Sequence, residues 1–539
     1  MFAFVLLLAA LVLFACVAFN KLSARLGVPA LLAFILLGML FGSDGLFKIP
    51  FDNYALAEQI CSVALIFIMF YGGFGTSWKA ARPVAVPSIL LSSLGVVLTA
   101  LLTGVFCCFI LGFPLLESFL IGAVLGSTDA ASVFSILRAR NLALKENTSS
   151  LLEVESGSND PCAYMLTAVL LTAMQGGITP GQVAQLLAKQ VFWGLTAGFA
   201  VGGAAVWLMR RLRFGSAGFD TVFAVAVALL AYAAPELLGG NGYLSVYLTG
   251  ILLGNSDIRN KRTLVPYFDG MTGMMQVVLF FLLGLLSTPS QMPRVLLPAL
   301  AIALFLTFAA RPAAVFLLMA PFGGSSKQKL LVSWSGLRGA ASIVFAVMTV
   351  ISPAVTDHDL FHIVFVVVLL SISLQGSLLP AVAKKLDMID TDEDADVMKT
   401  FTDYSGEAPV QFIRVHLPEG HSWCGKPVRE LALPPQTILA SVRRGDARFA
   451  PNGSTVLQAE DQLILCAPTA RRDLEEVHMT ERRLTEQELD MQKGTRINAL
   501  PRQEGSIIVL IQRGESWLIP DGDTLLQPGD RLLIHHSEE

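Results

Sequence analysis

The sequence predicts an all-α membrane domain of about thirteen transmembrane helices, followed by a cytoplasmic β-rich α+β domain. Three observations predict it. The chain has 539 residues, 54% hydrophobic and only 15% charged, where soluble proteins average ~25% charged. Its mean hydropathy of +0.63 implies more apolar surface than one water-soluble core can bury, because such cores stop growing near ~250–300 residues. The net charge of −4 hides two unlike parts: residues 1–386 hold 22 Lys and Arg against 15 Asp and Glu, and residues 387–539 hold 16 against 27. The first part is therefore +7 and oily, the second −11 and polar. This balance argues against a soluble single-domain enzyme, a secreted disulfide scaffold and a nucleic-acid binder, and makes lipid the first partner.

Apolar stretches long enough to cross ~30 Å of hydrocarbon as helices recur through the first part. They fall at 1–20, 28–47, 54–75, 84–112, 115–138, 150–175, 183–209, 218–237, 241–256, 264–287, 293–320, 328–352 and 359–383. The first lacks a basic leader, and Lys21 and Arg25 follow it, so it reads as a retained helix with its N-terminus outside. Counting Lys and Arg in alternate loops gives 17 on one side and 3 on the other (Lys48, Lys189 and Arg294). Positive charge favours the cytoplasmic side, which predicts an odd number of spans and a cytoplasmic C-terminus. The seven cysteines form no CxxC pair and five lie in apolar runs, so they read as small core residues. His358 and His362 stand four apart at a span edge, without a ligand cluster around them.

An ionisable group deep in a bilayer costs at least ~2.5–3.5 kcal/mol and normally has a function. In this chain such groups concentrate. Asp129 lies mid-span in GSTDAAS; Glu155, Asn159 and Asp160 lie in ESGSNDP; Arg311 and Arg338 lie in two later spans. Two carboxylates on consecutive helices suit a small cation, which needs several oxygens at short range. Ser156, four residues before Asp160, shares its helix face, and Ser127 and Thr128 offer further oxygens. Pro161 removes a backbone donor beside them.

Glycines and hydroxyl residues crowd around Asp129 and Arg338, at depths where a broken helix is tolerated only when it lines a cavity or packs in protein. The two segments also match. Aligning Gly126 on Gly336 pairs Ala130, Ala131 and Ser132 with Ala340, Ala341 and Ser342, and sets Gly339 opposite Asp129. The spans run in opposite senses in this topology, as an inverted repeat with two discontinuous helices requires.

The strings GSTDAASVF, ESGSNDP, GYLSVYLTGILLGN, FFLLGLL and SWSGLRGAASIVFA resemble the monovalent cation:proton antiporter superfamily, in its prokaryotic sodium/potassium–proton branch. The resemblance implies a six-helix core with two crossed unwound helices beside a dimerisation panel, hence a homodimer in a bacterial inner membrane. It implies that Asp160 binds cation or proton, with Asp129, Ser156 and the Thr128 carbonyl completing the site. It matches Glu155 to a glutamate paired with a core arginine, expected here to be Arg338, and leaves Arg311 without an assigned partner. Asn159 before Asp160 implies electroneutral exchange. No resident cofactor is expected: K⁺ or Na⁺ and H⁺ are cargo. Desolvation penalises a charged carboxylate, so either occupant neutralises the core and lets it cross.

Residues 387–409 carry eight acids and one lysine and read as a solvated linker. Beyond it, short β-rich runs repeat at offset 69: ILASVRRGDARFAPNGSTVLQAEDQLIL (438–465) lies over IIVLIQRGESWLIPDGDTLLQPGDRLLI (507–534). Residues 410–470 resemble the C-terminal lobe of potassium-conductance regulators (the RCK-C or TrkA-C type), and 471–539 read as a degenerate copy. No GxGxxG precedes them. The resemblance implies a regulator that dimerises and either is gated by a small nucleotide-like ligand or senses pH; a dimer-stabilising module without a ligand is the other reading, and Arg443, Arg444 and Arg448 are candidates for an anion such as a nucleotide phosphate or for a solvated strand edge. Together these features point to exchange of cytoplasmic K⁺, or Na⁺, for external H⁺. A regulated cation channel is the alternative, but it would want a carbonyl filter such as TVGYG, which the sequence lacks. A membrane enzyme would want a nucleophile–base set, and none is visible.

Overall fold

The computed structural model describes residues 10–19, 30–139, 142–176, 179–211, 217–258, 261–354, 356–390, 410–417, 423–431, 433, 438–444, 447–449, 451–468, 484–488, 506–513, 516–518 and 531–536. The chain forms two compact units, Met1–Asp390 and Thr391–Glu539. The first is helical: α1 Ala10–Phe19, α2 Ala30–Phe41, α3 Tyr54–Gly75, α4 Arg82–Phe109, α5 Leu115–Val124, α6 Ala130–Ala139, α7 Thr148–Gly176 and α8 Pro180–Arg211. It continues with α9 Ala217–Leu237, α10 Gly242–Gly254, α11 Lys261–Leu286, α12 Met292–Phe322, α13 Ser326–Trp334, α14 Ala340–Ile351 and α15 Leu360–Lys385. Among the described residues, seven helices are long and apolar enough to cross a membrane. The helices fall in order on the hydrophobic stretches read from the sequence. Two of those stretches hold a pair of short helices each, α5 with α6 and α13 with α14, around unwound residues 125–129 and 335–339.

The repeat extends far beyond the two breaks. Arg82 and Met292 open α4 and α12, Val124 and Trp334 close α5 and α13, and Ala130 and Ala340 open α6 and α14; each pair is 210 residues apart. The ends of α2–α7 recur in α10–α15 at that offset to within three residues. Even the irregularities correspond. Pro161 inside α7 matches Ser371, where α15 opens into a π-helical turn over Ser371–Gly376. The helices pack as two bundles. α2 and α3 lie with α8–α11; α4–α7 lie with α12–α15.

Loops tie the second bundle at both ends. Before α15, the His358 N–H and ring Nδ1 lie 2.9 and 3.1 Å from the buried Glu117 carboxylate at the start of α5. At the opposite end, the Gln328 amide of α13 donates to the Glu146 carbonyl at 2.9 Å and to the Thr148 hydroxyl at 3.3 Å. His362 is engaged separately, its Nδ1 2.6 Å from Asp359 and its Nε2 2.7 Å from the Thr288 hydroxyl. The start of the expected acidic linker belongs to this unit. Strand β2 (Ile389–Asp390) pairs antiparallel with β1 (Ala143–Leu144) between α6 and α7. Lys145 and Lys327 reach Asp387 at 3.2 and 3.4 Å and hold its carboxyl below the usual range. Met388 is buried against α13 and α15 residues. Residues 391–409 lie outside the described residues.

The second unit contains two four-stranded sheets of matching order. Strands β3 (Val410–His416), β4 (Ile438–Arg444), β5 (Ala447–Phe449) and β6 (Gln462–Pro468) are ordered β3-β6-β4-β5. Strands β7 (Leu484–Glu488), β8 (Ser506–Arg513), β9 (Ser516–Leu518) and β10 (Arg531–His536) are ordered β7-β10-β8-β9. The offset of 69 carries Ala447 to Ser516 and Gln462 to Arg531, so the internal repeat is a structural one. Arg444 is not a free anion ligand: it grips Asp461 through Nε at 2.8 Å and Nη2 at 2.7 Å. Burial would raise the Asp461 carboxyl, but the Arg444 hydrogen bond, the Gln458 N–H and the Arg444 charge outweigh it and hold it below its ordinary value. A depressed carboxyl stabilises the fold above its unfolded value and loses that contribution as pH falls through the folded one. Arg444→Ala, which leaves Asp461 buried and short of a partner, should cost about 1–2 kcal/mol. A drop in the melting of this domain checks it.

Candidate functional site

The two breaks meet. The Asp129 N–H donates to the Leu337 carbonyl at 2.8 Å, joining break 125–129 to break 335–339. An unwound turn leaves orphan carbonyls where α5 ends and orphan N–H groups where α6 begins, with partial negative and positive charge respectively. Arg338 answers the first: its Nη1 donates to the Leu125 carbonyl at 2.5 Å and the Ser127 carbonyl at 2.9 Å. Asp129 answers the second. Its Oδ1 accepts the Ser132 N–H at 3.1 Å and its Oδ2 the Ser132 hydroxyl, as an N-cap of α6. The same carboxylate lies against the N-terminus of α14, since a Cβ on Gly339 would stand 2.5 Å from Oδ2. Only glycine fits opposite Asp129.

α7 closes the site. The Ser127 hydroxyl donates to Asp160, the Ser156 hydroxyl donates to the Thr128 carbonyl at 2.7 Å, and the Asn159 amide donates to the Thr128 hydroxyl. Asp160, Ser156, Asn159 and Thr128 are thus brought together. Asp129 joins them through the same break, with its carboxylate held by Ser132. Ser127, offered by the sequence only as a spare oxygen, touches Asp160 directly. The oxygens gathered here are carboxylate, hydroxyl and carbonyl, a hard set suited to a partly dehydrated monovalent cation.

One pairing differs from expectation. Glu155 meets Arg311, not Arg338: Arg311 Nη2 stands 2.5 Å from Glu155 Oε1, with both side chains buried. It is an ion pair by distance, without an aligned hydrogen bond. The physical reason lies in the backbone. Arg338 sits inside a break and its Nη1 is aimed at two carbonyls that the facing break leaves open, whereas Arg311 follows the π-helical turn Leu306–Ala310 of α12 and lies beside Gly336. Arg338 is in turn positioned by α15, where the Ser371 hydroxyl accepts its N–H at 2.9 Å and donates to Gln375 at 2.6 Å. Sequence reasoning missed Ser371. The offset of 210 from Pro161 was the available signal.

Comparison with known proteins follows the same two units. The sodium/hydrogen exchanger transmembrane family matches residues 8–385, and the TrkA-C domain matches 412–477 and 493–535. The chain is 35% identical over 474 residues to "K(+)/H(+) antiporter NhaP2" of Shewanella sp. (strain ANA-3), covering 87% of this chain and 82% of that one. It is 40% identical over 368 residues to "K(+)/H(+) antiporter NhaP" of Alkalimonas amylolytica, covering 68% and 64%. Among solved structures, the sodium proton antiporter MjNhaP1 of Methanocaldococcus jannaschii superposes with a TM-score of 0.62 at 25% identity, over 70% of this chain and 97% of that one.

Proposed function

The chain belongs to the sodium/hydrogen exchanger family, and from that premise we propose that it exchanges cytoplasmic K⁺ for external H⁺, one for one, at Asp160. It is a multi-pass cation/proton antiporter, a transporter and not an enzyme. The observation that carries the site is Asp160 itself: an intramembrane carboxylate facing an unwound break whose Ser127 hydroxyl reaches it. Ser156 and the Thr128 carbonyl supply the neighbouring oxygens, and Asp129 holds the break in place and adds negative charge. Cation and proton compete for one carboxylate, because each neutralises a charge that the low dielectric penalises. The loaded core crosses between the two faces; the charged, empty core crosses poorly. K⁺ over Na⁺ is favoured by the relatives named K(+)/H(+) antiporters and by the TrkA-C tail. We place thirteen crossings in a bacterial inner membrane, with the N-terminus outside, the tail in the cytoplasm, and the protein as a homodimer.

The test is exchange in proteoliposomes followed by a pH dye, adding K⁺, Na⁺, Rb⁺ and Li⁺ in turn. K⁺-driven proton movement without a membrane potential is expected. Na⁺ activity with K⁺ silent would remove the ion assignment, and a developing potential would remove the stoichiometry.

The tail, in this reading, regulates transport and takes a small nucleotide-like ligand. Support comes from the β1–β2 pairing, which fastens the chain leaving α15 to the loop between α6 and the Asp160 helix. Truncation after Asp390 should therefore leave exchange running but insensitive to the tail. Truncation after Lys385 also removes β2 and buried Met388, and should cost ~2 kcal/mol of stability together with much of the rate. Equal behaviour of the two truncations in stability and flux would count against coupling through β2.

A further inference from the structure

Helix α10 touches α7 on both sides of Asp160. Three residues before it, the Tyr247 ring lies over Gly157, where a Cβ would stand 2.3 Å from the ring carbon Cε2 and 2.6 Å from the hydroxyl. One residue after it, the Asn241 amide donates to the Pro161 carbonyl at 2.9 Å. Tyr247 of α10 and its capping residue Asn241 are both buried, at 2% and 0% exposure. Asn241 is braced from its own bundle: its Oδ1 caps α10 through the Leu244 N–H at 3.0 Å, and its N–H donates to the Gln190 carbonyl of α8 at 3.1 Å.

The backbone that carries Tyr247 is equally fixed. A Cβ on Gly73 of α3 would stand 2.3 Å from the Tyr247 carbonyl oxygen, and a Cβ on Gly250 or Gly254 would stand 2.3 or 2.0 Å from the Phe70 or Phe74 carbonyl oxygen. Helices α3 and α10 therefore meet backbone to backbone, and close-packed interiors do not yield to relieve a collision. Gly157 belongs to the other bundle. Exchange requires one bundle to move against the other around the site. That movement must carry position 157 past the ring, which a residue with no side chain permits.

We propose that Tyr247 and Asn241 are positioning residues of the exchange: the Tyr247 ring seals the contact between the bundles beside Asp160 at Gly157, and the Asn241–Pro161 hydrogen bond holds that seal until the bundles move. This inference rests on Asp160 being the exchanging carboxylate. The seal is the flat ring, so its hydroxyl is dispensable to it. Without the ring, cation reaches Asp160 from both faces at once, and exchange degrades into leak.

The test measures K⁺ flux, proton flux and membrane potential in the same proteoliposomes. Tyr247→Ala is expected to lose coupling, with K⁺ flux exceeding proton flux and a potential developing; Tyr247→Phe is expected to keep coupling. Gly157→Ala should lose exchange because its methyl meets the ring. Adding Tyr247→Ala to it should restore flux, now uncoupled, which a merely structural role for the ring would not produce. Tyr247→Leu replaces the alanine variant if that fails to fold, with the same loss of coupling expected. Tight coupling in a folded Tyr247→Ala or Tyr247→Leu protein, or wild-type exchange by Gly157→Ala, overturns the inference. Asp160→Asn runs alongside. If it exchanges normally, the site assignment falls, whereas a silent Asp160→Asn beside a fully coupled Tyr247→Ala overturns this inference alone.

Discussion

Asp160→Asn should yield a folded protein that no longer exchanges cation for proton. The amide is nearly isosteric, and its carbonyl oxygen can still accept the Ser127 hydroxyl that reaches Asp160 in the native chain. The hydrogen bonds from Ser156 and Asn159 to Thr128 do not involve Asp160 at all, so the packing of α7 on the break survives. The charge does not. A carboxylate and a monovalent cation a few ångströms apart attract by about 4 kcal/mol at an effective dielectric of 20, roughly a thousandfold in affinity. An amide also cannot carry the exchanged proton. Loss of both occupants, rather than weaker binding of one, is the expected signature. It is read as absent K⁺-driven proton movement in vesicles, at wild-type melting temperature and elution volume. Unimpaired exchange by this variant would move the site elsewhere, whatever the fate of the fold.

The contrast between what the sequence displayed and what it hid has a physical cause. Span positions were legible because hydrocarbon thickness demands long apolar runs. The breaks were legible because Gly126, Gly336 and their hydroxyl neighbours are poor helix residues at that depth. The matching ends of α2–α7 and α10–α15 were hidden, because many different apolar residues satisfy a membrane helix equally well, so equal spacing leaves no shared residue pattern. The tail repeat at offset 69 stayed visible, since tight turns constrain residue type. The partner of Glu155 was misassigned for a different reason. Motif reasoning paired it with the nearest arginine by function. Which guanidinium is free to pair depends on orphan carbonyls at Leu125 and Ser127, and those exist only once α5 has been broken in space. Tyr247 was equally invisible: its role depends on the absence of a side chain at Gly157, and contact across bundles leaves no periodicity.

The second large effect belongs to that ion pair. Arg311 and Glu155 have side-chain exposures of 4% and 1% and stand 2.5 Å apart, with Gly336 close enough that a Cβ there would lie 2.9 Å from Arg311 Nε. The pair therefore spans α12 and α7 and abuts the second break. Removing one buried partner strands the other's charge, which costs ~3–5 kcal/mol, whereas replacing both by neutral groups is often close to neutral. Arg311→Ala should accordingly melt far below wild type, and Glu155→Gln somewhat less so, because the amide keeps the side chain's volume and a polar oxygen beside the guanidinium but leaves that cation uncompensated. Glu155→Gln combined with Arg311→Gln should recover most of the lost stability. This is the reverse of the Asp160→Asn pattern, in which stability is kept and transport is lost. Thermal melting in detergent separates them, followed by flux from whichever variants reconstitute. A double variant no more stable than Arg311→Ala would mean that the pair is not what holds α12 to α7, and that Arg311 acts through the break at Gly336 instead.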